Sequence, residues 1–358
     1  MPSLKEIKGR INSISSTLAI TSAMKMVAAA KLQKAQMAIQ NMLPYERRLY
    51  SMLVDLMGAM NISAAASEDG SVRGSGSAER GFDQSGDRLS LSNRHDLAGM
   101  DGAYSLMAQR EVRKVAIVAF ASNSSLCGAF NSNAIREATA VINEYRASGL
   151  RDSDIVVYSV GRKMAEAMKK LGFPSPADFT KMSDSPSYDA ASALAQELFD
   201  GFVSGRFDKV ELVYNHYKST SSQPTTRQTY LPLSLADAIA DLQAGKIADS
   251  ASESDTNRGA EPVGAPVVRQ GSPTTEDLIV EPSKEALIAT LLPKVIRLRI
   301  FTTLLDSAAA EHAARTVAMQ LATDNGNDLL QELTLEYNKG RQQKITSEIL
   351  DLVGGSMQ

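Results

Sequence analysis

Hydrophobic positions near the N-terminus of the chain recur at intervals of three and four residues. They are Leu4, Ile7, Ile11, Ile14 and Leu18, and further on Leu49, Leu53 and Leu56. This period predicts a helix from residue 3 to about residue 60, bent or jointed at Pro44. About 55 helical residues would span on the order of 80 Å. That length exceeds one globular domain and is typical of a coiled coil.

A second helical pattern occupies the C-terminal part of the chain, over residues 278–358. Its regularly spaced positions are Leu287, Leu291, Val295, Leu298, Phe301, Leu305, Ala308, His312, Met319, Ala322, Leu329 and Leu333. Pro293 should kink this helix. A central domain of about 130 residues is too small to cover two such helices, so we expect them to pair with each other. The sequence therefore predicts a long antiparallel two-helix coiled coil.

Between the two helices the pattern changes to short apolar runs that alternate with amphipathic segments. The predicted strands cover residues 112–122, 154–160, 208–219 and 225–233, and the predicted helices cover residues 131–148, 161–172 and 188–204. Strands that alternate with helices indicate a mostly parallel sheet, here a Rossmann-like α/β domain. The last two strands should form a hairpin around residues 221–224.

Two stretches rich in small and polar residues, 61–103 and 236–277, have no hydrophobic period. Such composition is typical of flexible surface insertions. The predicted domain order is a coiled-coil helix (1–60), an insertion (61–103), the α/β domain (104–235), an insertion (236–277) and a second coiled-coil helix (278–358). We find no 18-residue apolar run and no hydrophobic leader, so we expect a protein kept in the cytoplasm.

Charge is distributed unevenly over the 358 residues. The first 50 residues carry eight basic and two acidic side chains, whereas the whole chain has a net charge of −3. A basic arm can bind nucleic acid, a membrane surface or an acidic protein. These cations are widely spaced and have no aromatic stacking residues among them, which argues against nucleic acid. An aromatic content of 5% with 15 Met favours helix packing by aliphatic residues.

Residues that could carry catalysis are few and isolated. The segment 121–133 joins a strand to a helix, where phosphate loops lie, but it contains only Gly128 and neither common glycine pattern, so we favour a structural turn. Cys127 has no His nearby in the sequence, and the pair Glu311–His312 lacks zinc-binding spacing, so a coiled-coil His is the better interpretation. We expect no cofactor and no metal. The pattern indicates a mechanical or adaptor protein and not an enzyme.

Three motifs resemble one family. Residues 20–32, ITSAMKMVAAAKL, fit the pattern ITxAMxMVAAxKL, and SLCGAFN at 125–131 is similar to a segment ending in GLCGxxN. The C-terminal segment 311–355, which includes ATDN and YNKGRQ, matches over its whole length. These motifs are those of the gamma subunits of F-type ATP synthases. The resemblance covers about residues 1–60, 104–235 and 278–356.

The resemblance implies a central rotor shaft without an active site of its own. In the family, the coiled coil turns inside a ring of three alpha and three beta subunits, and the α/β domain lies against the membrane c-ring and the epsilon subunit. Rotation couples proton flow to ATP synthesis or hydrolysis. We therefore expect one copy per complex, peripheral at the cytoplasmic face of a bacterial inner membrane. The alternatives are a coiled-coil adaptor without a ring partner, or an enzyme that uses the α/β domain.

The motif match also implies contact residues. Met24 and Lys25 should meet an acidic lever loop of a beta subunit, and Arg341, Gln342 and Thr346 should lie at the beta loop that grips the shaft. Arginine suits such a grip because it forms charge-assisted, often bidentate bonds to carboxylates. A sixth residue, Glu281, should lie at the foot near the rotor ring. Arg341 and Thr346 could instead be ordinary solvated helix residues, and Glu281 a charge at a helix N-terminus.

The segment 20–36 contains no acidic residue and is rich in Ala, Met and Lys. Small side chains and Met would give a rotating shaft a smooth surface without deep energy minima. The alternative is that Ala28 and its neighbours allow close packing of the second helix. The chain departs from the family pattern at Ala19 and Ser22, where relatives often have a basic residue, and at Gly340, where Ala is common.

Overall fold

The computed structural model describes residues 3–59, 106, 110–233 and 284–355. The predicted insertions over 61–103 and 236–277, and Glu281, lie outside the described residues. The described α-helices and strands in chain order are α1 (Leu4–Ala59), β1 (Val115–Phe120), α2 (Phe130–Ala147), β2 (Ile155–Val160), α3 (Arg162–Lys170), α4 (Thr180–Asp184), α5 (Tyr188–Val203), β3 (Lys209–Asn215), β4 (Thr225–Leu231) and α6 (Lys284–Gly355), and a 3-10 helix (Asp152–Asp154) precedes β2.

The long helices α1 and α6 pack against each other in antiparallel orientation. Leu32 of α1 packs against Ala309 and Ala313 of α6, and Leu18 lies beside Gly326. Residue numbers therefore rise along one helix as they fall along the other. Pro44 lies within α1 and Pro293 within α6, so neither proline ends its helix. The predicted coiled coil with an α/β domain is confirmed.

The helix contact follows a different line of residues from the predicted one in the second half of α6. Ala322 and Leu329, which we placed in the contact, are exposed, and Leu329 keeps 50% of its surface accessible. After Met319 the contact line passes through partly covered residues at intervals of four and three, which are Thr323, Gly326, Leu330 and Leu333. Hydrophobic spacing missed this line because Thr and Gly are not read as apolar positions.

The sheet has the strand order β2–β1–β3–β4. Strand β1 is parallel to β2 and to β3, and β4 is antiparallel to β3, as predicted for the last hairpin. Every residue of β1 is buried, since the sheet is covered on both faces. The short helix α4 was not predicted from the sequence.

Alternate residues of β1 point to two different cores, as pleating requires. Ile117 and its neighbours pack under α2 and α3. Val118 and its neighbours face α5 and, with it, both long helices, through residues such as Tyr50, Leu53 and Leu292. The sequence predicted that the long helices pair with each other, and in addition their domain ends pack on the sheet. The C-terminal end of α1 and the N-terminal third of α6 form part of the domain core.

Candidate partner-binding surface of the coiled coil

Large apolar side chains lie exposed along the part of the coiled coil that extends beyond the sheet. They are Ile20, Met26, Val27 and Met37 on α1, and Leu321, Leu329, Leu335, Ile345, Ile349, Leu350, Leu352 and Val353 on α6. Met26 keeps 65% of its surface accessible and Leu335 keeps 71%. Exposed apolar residues gathered on one part of a protein mark an interaction surface. We call this set the shaft surface.

On α1 the shaft surface is a face of small and flexible side chains. Five exposed residues lie on the side of α1 away from α6, because they are spaced at intervals of four, three, four and seven positions. They are Ala19, Ala23, Met26, Ala30 and Met37. The opposite side contains Ala28 and Leu32, which are buried against α6. The close-packing interpretation of the segment 20–36 therefore holds for the Ala28–Leu32 side of the helix, and the Met26 side is left exposed to a partner.

The sequence-predicted residues Met24 and Lys25 are both half-buried, whereas Met26 and Val27 directly after them are exposed. The motif match did not single out Met26 and Val27. Their position could have been found from the sequence, since they lie about a quarter turn or more away from the Ala28–Leu32 side of the helix.

At the other end of the shaft surface, α6 continues past the described start of α1. Leu4 of α1 lies beside Gly340 of α6, where an added Cβ would be 3.2 Å from Leu4 Cδ2. Residues 341–355 therefore extend beyond the described part of α1, for about 22 Å at the rise of a helix. Residues 341–350 are all exposed, as are Leu352 and Val353. We call residues 341–355 the tip.

The tip carries a stripe of one cation followed by apolar residues. Spacings of four, four and three residues place Arg341, Ile345, Ile349 and Leu352 on one side of the helix. Arg341 has no acidic partner among the described side chains. The structure thus places the sequence-predicted residues Arg341, Gln342 and Thr346 together at the base of the tip, where the Thr346 hydroxyl donates to the Gln342 carbonyl oxygen at 2.9 Å.

The loop after β1 lies where α/β sheets often bind ligands, but here it contacts α6. The Ser122 amide donates to Asn131 Oδ1 at 3.0 Å, and Asn131 Nδ2 donates to the Ser124 carbonyl at 3.1 Å. Ala310 of α6 packs against Cys127 in this loop. Arg315 of α6 donates to Ser124 Oγ at 2.7 Å. The polar groups of the loop therefore bond to one another and to the shaft.

Glu311 and His312 lie in α6 near this loop, and burial shifts the pKa of each side chain in the direction that favours its neutral form. Burial raises the pKa of the Glu311 carboxyl, although its 2.7 Å bond from Arg315 acts in the other direction. Burial, together with the charges of Arg315 and Lys31, lowers the pKa of His312 to about 4. Its Nδ1 is buried without a hydrogen-bond partner within the described parts of the chain. His312 is therefore a neutral residue of the helix contact at physiological pH.

Within the described ranges, no cluster of three or more His, Cys, Asp or Glu side chains is arranged to hold a metal ion. The described helices also include none that is long and apolar enough to cross a membrane.

A long antiparallel coiled coil, rooted in a small α/β domain and apolar on its outer side, defines a stalk protein. The family model described as ATP synthase matches residues 3–357. The ATP synthase gamma chain of Phocaeicola vulgatus is 47% identical over 100% of both chains, and that of Bacteroides thetaiotaomicron is 44% identical over 100% of both chains. The chain belongs to the gamma chains of the ATP synthase family. The known role of this family is rotational coupling by the central stalk.

The fold agrees with that of a chain in a solved ATP synthase. A chain in the cryo-EM structure of the Euglena gracilis mitochondrial ATP synthase, described as OSCP/F1/c-ring in rotational state 3, matches with a TM-score of 0.52. The match covers 99% of this chain and 93% of that chain at 18% identity. At that identity the likeness concerns the fold alone.

Proposed function

We propose that the chain is a non-catalytic rotor shaft that turns inside a ring of alpha and beta subunits, couples this rotation to proton flow through the membrane sector and thereby regulates ATPase activity. The observation that carries the proposal is the tip, a helix about 22 Å long in which residues 341–350, Leu352 and Val353 are all exposed. A single helix of this length, with no second helix packed against it, has little stability alone in water. A surrounding sleeve of protein would bury Ile345, Ile349 and Leu352 and stabilise the helix.

The chemistry of the shaft surface suits rotation better than static binding. A surface that turns past its partner must have no deep minimum at any one angle, and buried ion pairs would create such minima because breaking one costs several kcal/mol. The outward face of α1 presents Ala19, Ala23, Met26 and Ala30 in place of charged pairs. Ala and Met give shallow, adaptable contacts. This argument and the family match over residues 3–357 disfavour the adaptor alternative.

The proposed beta-subunit contacts divide into two groups along the shaft. Arg341, Gln342 and Thr346 form the grip at the base of the tip, where an unpaired guanidinium can take a carboxylate of the beta subunit. Met24 and Lys25 lie about 20 residues nearer the domain along α1 and would meet the acidic lever loop. Glu281 would act at the foot, near the rotor ring.

The α/β domain lies at the opposite end of the coiled coil from the tip, because the core includes Tyr50 and Leu292 but no tip residue. We therefore assign the epsilon subunit and the membrane c-ring to the domain end, and the alpha and beta subunits to the shaft surface. One copy would serve each complex. The complex would hold the chain as a peripheral protein at the cytoplasmic face of the bacterial inner membrane.

Reconstitution with the alpha and beta subunits of the same organism tests the proposal. We expect a complex with one copy of this chain per three alpha and three beta subunits, and sustained ATP hydrolysis only when the chain is present. A probe attached to the α/β domain should then rotate during hydrolysis. A chain that fails to associate, under conditions in which the relatives' complexes form, would contradict the shaft role and favour the adaptor.

A further inference from the structure

The connection between β3 and β4 reaches out of the sheet and contacts both long helices. His216 Nδ1 lies 2.6 Å from Asp306 Oδ2 of α6, and the Tyr217 amide donates to Asp306 Oδ1 at 2.9 Å. From the other helix, Gln36 Nε2 of α1 donates to the Tyr217 hydroxyl oxygen at 2.7 Å. One carboxylate and one amide therefore hold two consecutive residues of the domain. We call these four residues the clamp.

The clamp is anchored in the sheet itself. Asn215, the last residue of β3 and directly before His216, is buried, and its side-chain amide donates to the Phe130 carbonyl at 3.0 Å. Thr225 Oγ1, at the start of β4, donates to Asn215 Oδ1 at 2.7 Å. The Tyr217 ring packs against both small apolar clusters that join α6 to α1 and to the loop after β1. The clamp thus lies where sheet, α1 and α6 meet.

We infer that the clamp fixes the angle of the α/β domain about the coiled coil and carries torque between them, with Asp306 as its positioning residue. The inference rests on the proposed shaft function. Apolar packing also joins α1 and α6 to the sheet, and single hydrogen bonds join the domain to α6 elsewhere, such as the 3.0 Å bond from the Tyr230 hydroxyl to the Ile296 carbonyl. The clamp differs from these contacts because it holds the domain to both long helices at one place. Hydrogen bonds to a carboxylate depend on distance and angle, so they resist rotation of one body against the other.

Protonation of His216 should tune the clamp. The hydrogen bond and charge of Asp306 raise the pKa of His216 above its ordinary 6.5, whereas burial and Lys218 on the same connection act in the opposite direction. The residue of α1 that takes part, Gln36, is neutral. The clamp is therefore strongest with a protonated imidazole and weakens as the pH rises through the raised pKa.

The test uses the complete complex in lipid vesicles, with proton pumping and ATP hydrolysis measured on the same preparation. Asp306→Ala should keep hydrolysis but pump fewer protons per ATP hydrolysed, and Asp306→Glu, which retains the carboxylate, should restore part of the loss. The matched control is Asp152→Ala, because Asp152 accepts bonds of 2.7 and 2.9 Å from Arg146 on the same domain and does not bridge to the shaft.

Hydrogen exchange of residues 216–219 in the same complexes tests the clamp directly. Loss of the Asp306 acceptor should speed exchange of the Tyr217 amide about tenfold, the equivalent of one hydrogen bond, and leave β1 protected. Two results would each overturn the inference: unchanged exchange, or faster exchange with an unchanged pumping ratio. A wild-type chain that supports neither hydrolysis nor pumping would instead contradict the shaft function, and exchange would still show whether the clamp exists.

Discussion

Gly326 of α6 lies against Leu18 of α1 so closely that a Cβ added to the glycine would be 2.6 Å from Leu18 Cδ2 and 3.1 Å from its Cγ. One turn earlier, Thr323 Oγ1 of α6 donates to Thr21 Oγ1 of α1 at 3.1 Å. The closest approach of the two helices in this region therefore depends on small residues. This contact fixes the offset of the helices and with it the length of the tip.

Replacing Gly326 by Ala tests the close contact. The extra methyl group would meet Leu18 Cγ as well as Cδ2, so turning the end of the leucine side chain does not relieve the clash. We therefore expect a cost in the upper part of the roughly 1–3 kcal/mol range for overpacking, above the roughly 1 kcal/mol that Ala gains over Gly in a helix. We expect Gly326→Ala to lower the free energy of unfolding in urea titrations of the whole chain.

The matched control is Gly9→Ala in α1, because an added Cβ there has no neighbour within 4 Å. This substitution should stabilise the chain by up to about 1 kcal/mol. Equal effects of the two substitutions, in sign and size, would contradict the close contact at Gly326.

The apolar side of the tip should be needed for assembly and sustained hydrolysis, but not for folding. Replacing Ile345 and Ile349 together by Asp puts two charges where we propose that a sleeve covers the helix, and each unpaired buried charge costs several kcal/mol. We expect the melting temperature of the isolated chain to stay unchanged and the reconstituted ATPase rate to fall.

Leu171→Asp provides the control for the tip, because Leu171 of the α/β domain is exposed to 45%, close to the 47% of Ile345, and lies off the coiled coil. The rate of this variant should match that of the wild type. An equal loss of rate at both places would mean that the tip has no special role.

The grip residues Arg341 and Gln342 should contribute to the ATPase rate of the reconstituted complex but not to the stability of the chain. Replacing Arg341 and Gln342 together by Ala removes an exposed cation and an exposed amide that hold no described part of the fold in place, so stability should stay the same. Loss of a charge-assisted bond to a beta subunit should lower the ATPase rate of the reconstituted complex. Lys170→Ala, which removes an exposed cation of the α/β domain away from the coiled coil, is the control and should leave the rate unchanged. An unchanged rate in the double variant would remove Arg341 and Gln342 from the grip.

Two histidines should give the stability of the chain opposite dependences on pH. The pKa of His312 is lowered to about 4 in the folded chain. As the pH falls below about 6.5, His312 therefore binds a proton in the unfolded chain but stays neutral in the folded chain. The folded state should lose stability as the pH falls from about 6.5 towards 4. Folding raises the pKa of His216, so its bond to Asp306 stabilises the folded state fully below about pH 6.5, the ordinary pKa of histidine in the unfolded chain. This contribution is lost as the pH rises through the pKa that His216 has in the folded chain.

Urea unfolding across this pH range, with the variants His312→Gln and His216→Gln, separates the two effects. His312→Gln should flatten the acid side of the stability profile, and His216→Gln should flatten the neutral side. If the two variants changed the profile in the same pH window, the assigned environments of these rings would be wrong.

The sequence alone was enough to predict several elements of this protein. Helical spacing from Leu4 to Leu56 predicted α1, and apolar runs predicted β1 to β4, because burial on one side of a helix or inside a sheet leaves a periodic pattern. The motifs around residues 20–32 and 311–355 were long enough to indicate the family, which the comparisons confirm.

Other features depended on the tertiary structure. The contact through Thr323 and Gly326, the extent of the tip and the packing of Tyr50 on the sheet all depend on how far one helix is shifted along the other. A hydrophobic pattern shows which side of each helix is apolar, but it does not show how far one helix is shifted along the other. That shift is set where small residues let the two helices approach most closely. The clamp likewise joins His216 to Asp306, 90 positions apart. Only the folded chain brings those two side chains within hydrogen-bonding distance.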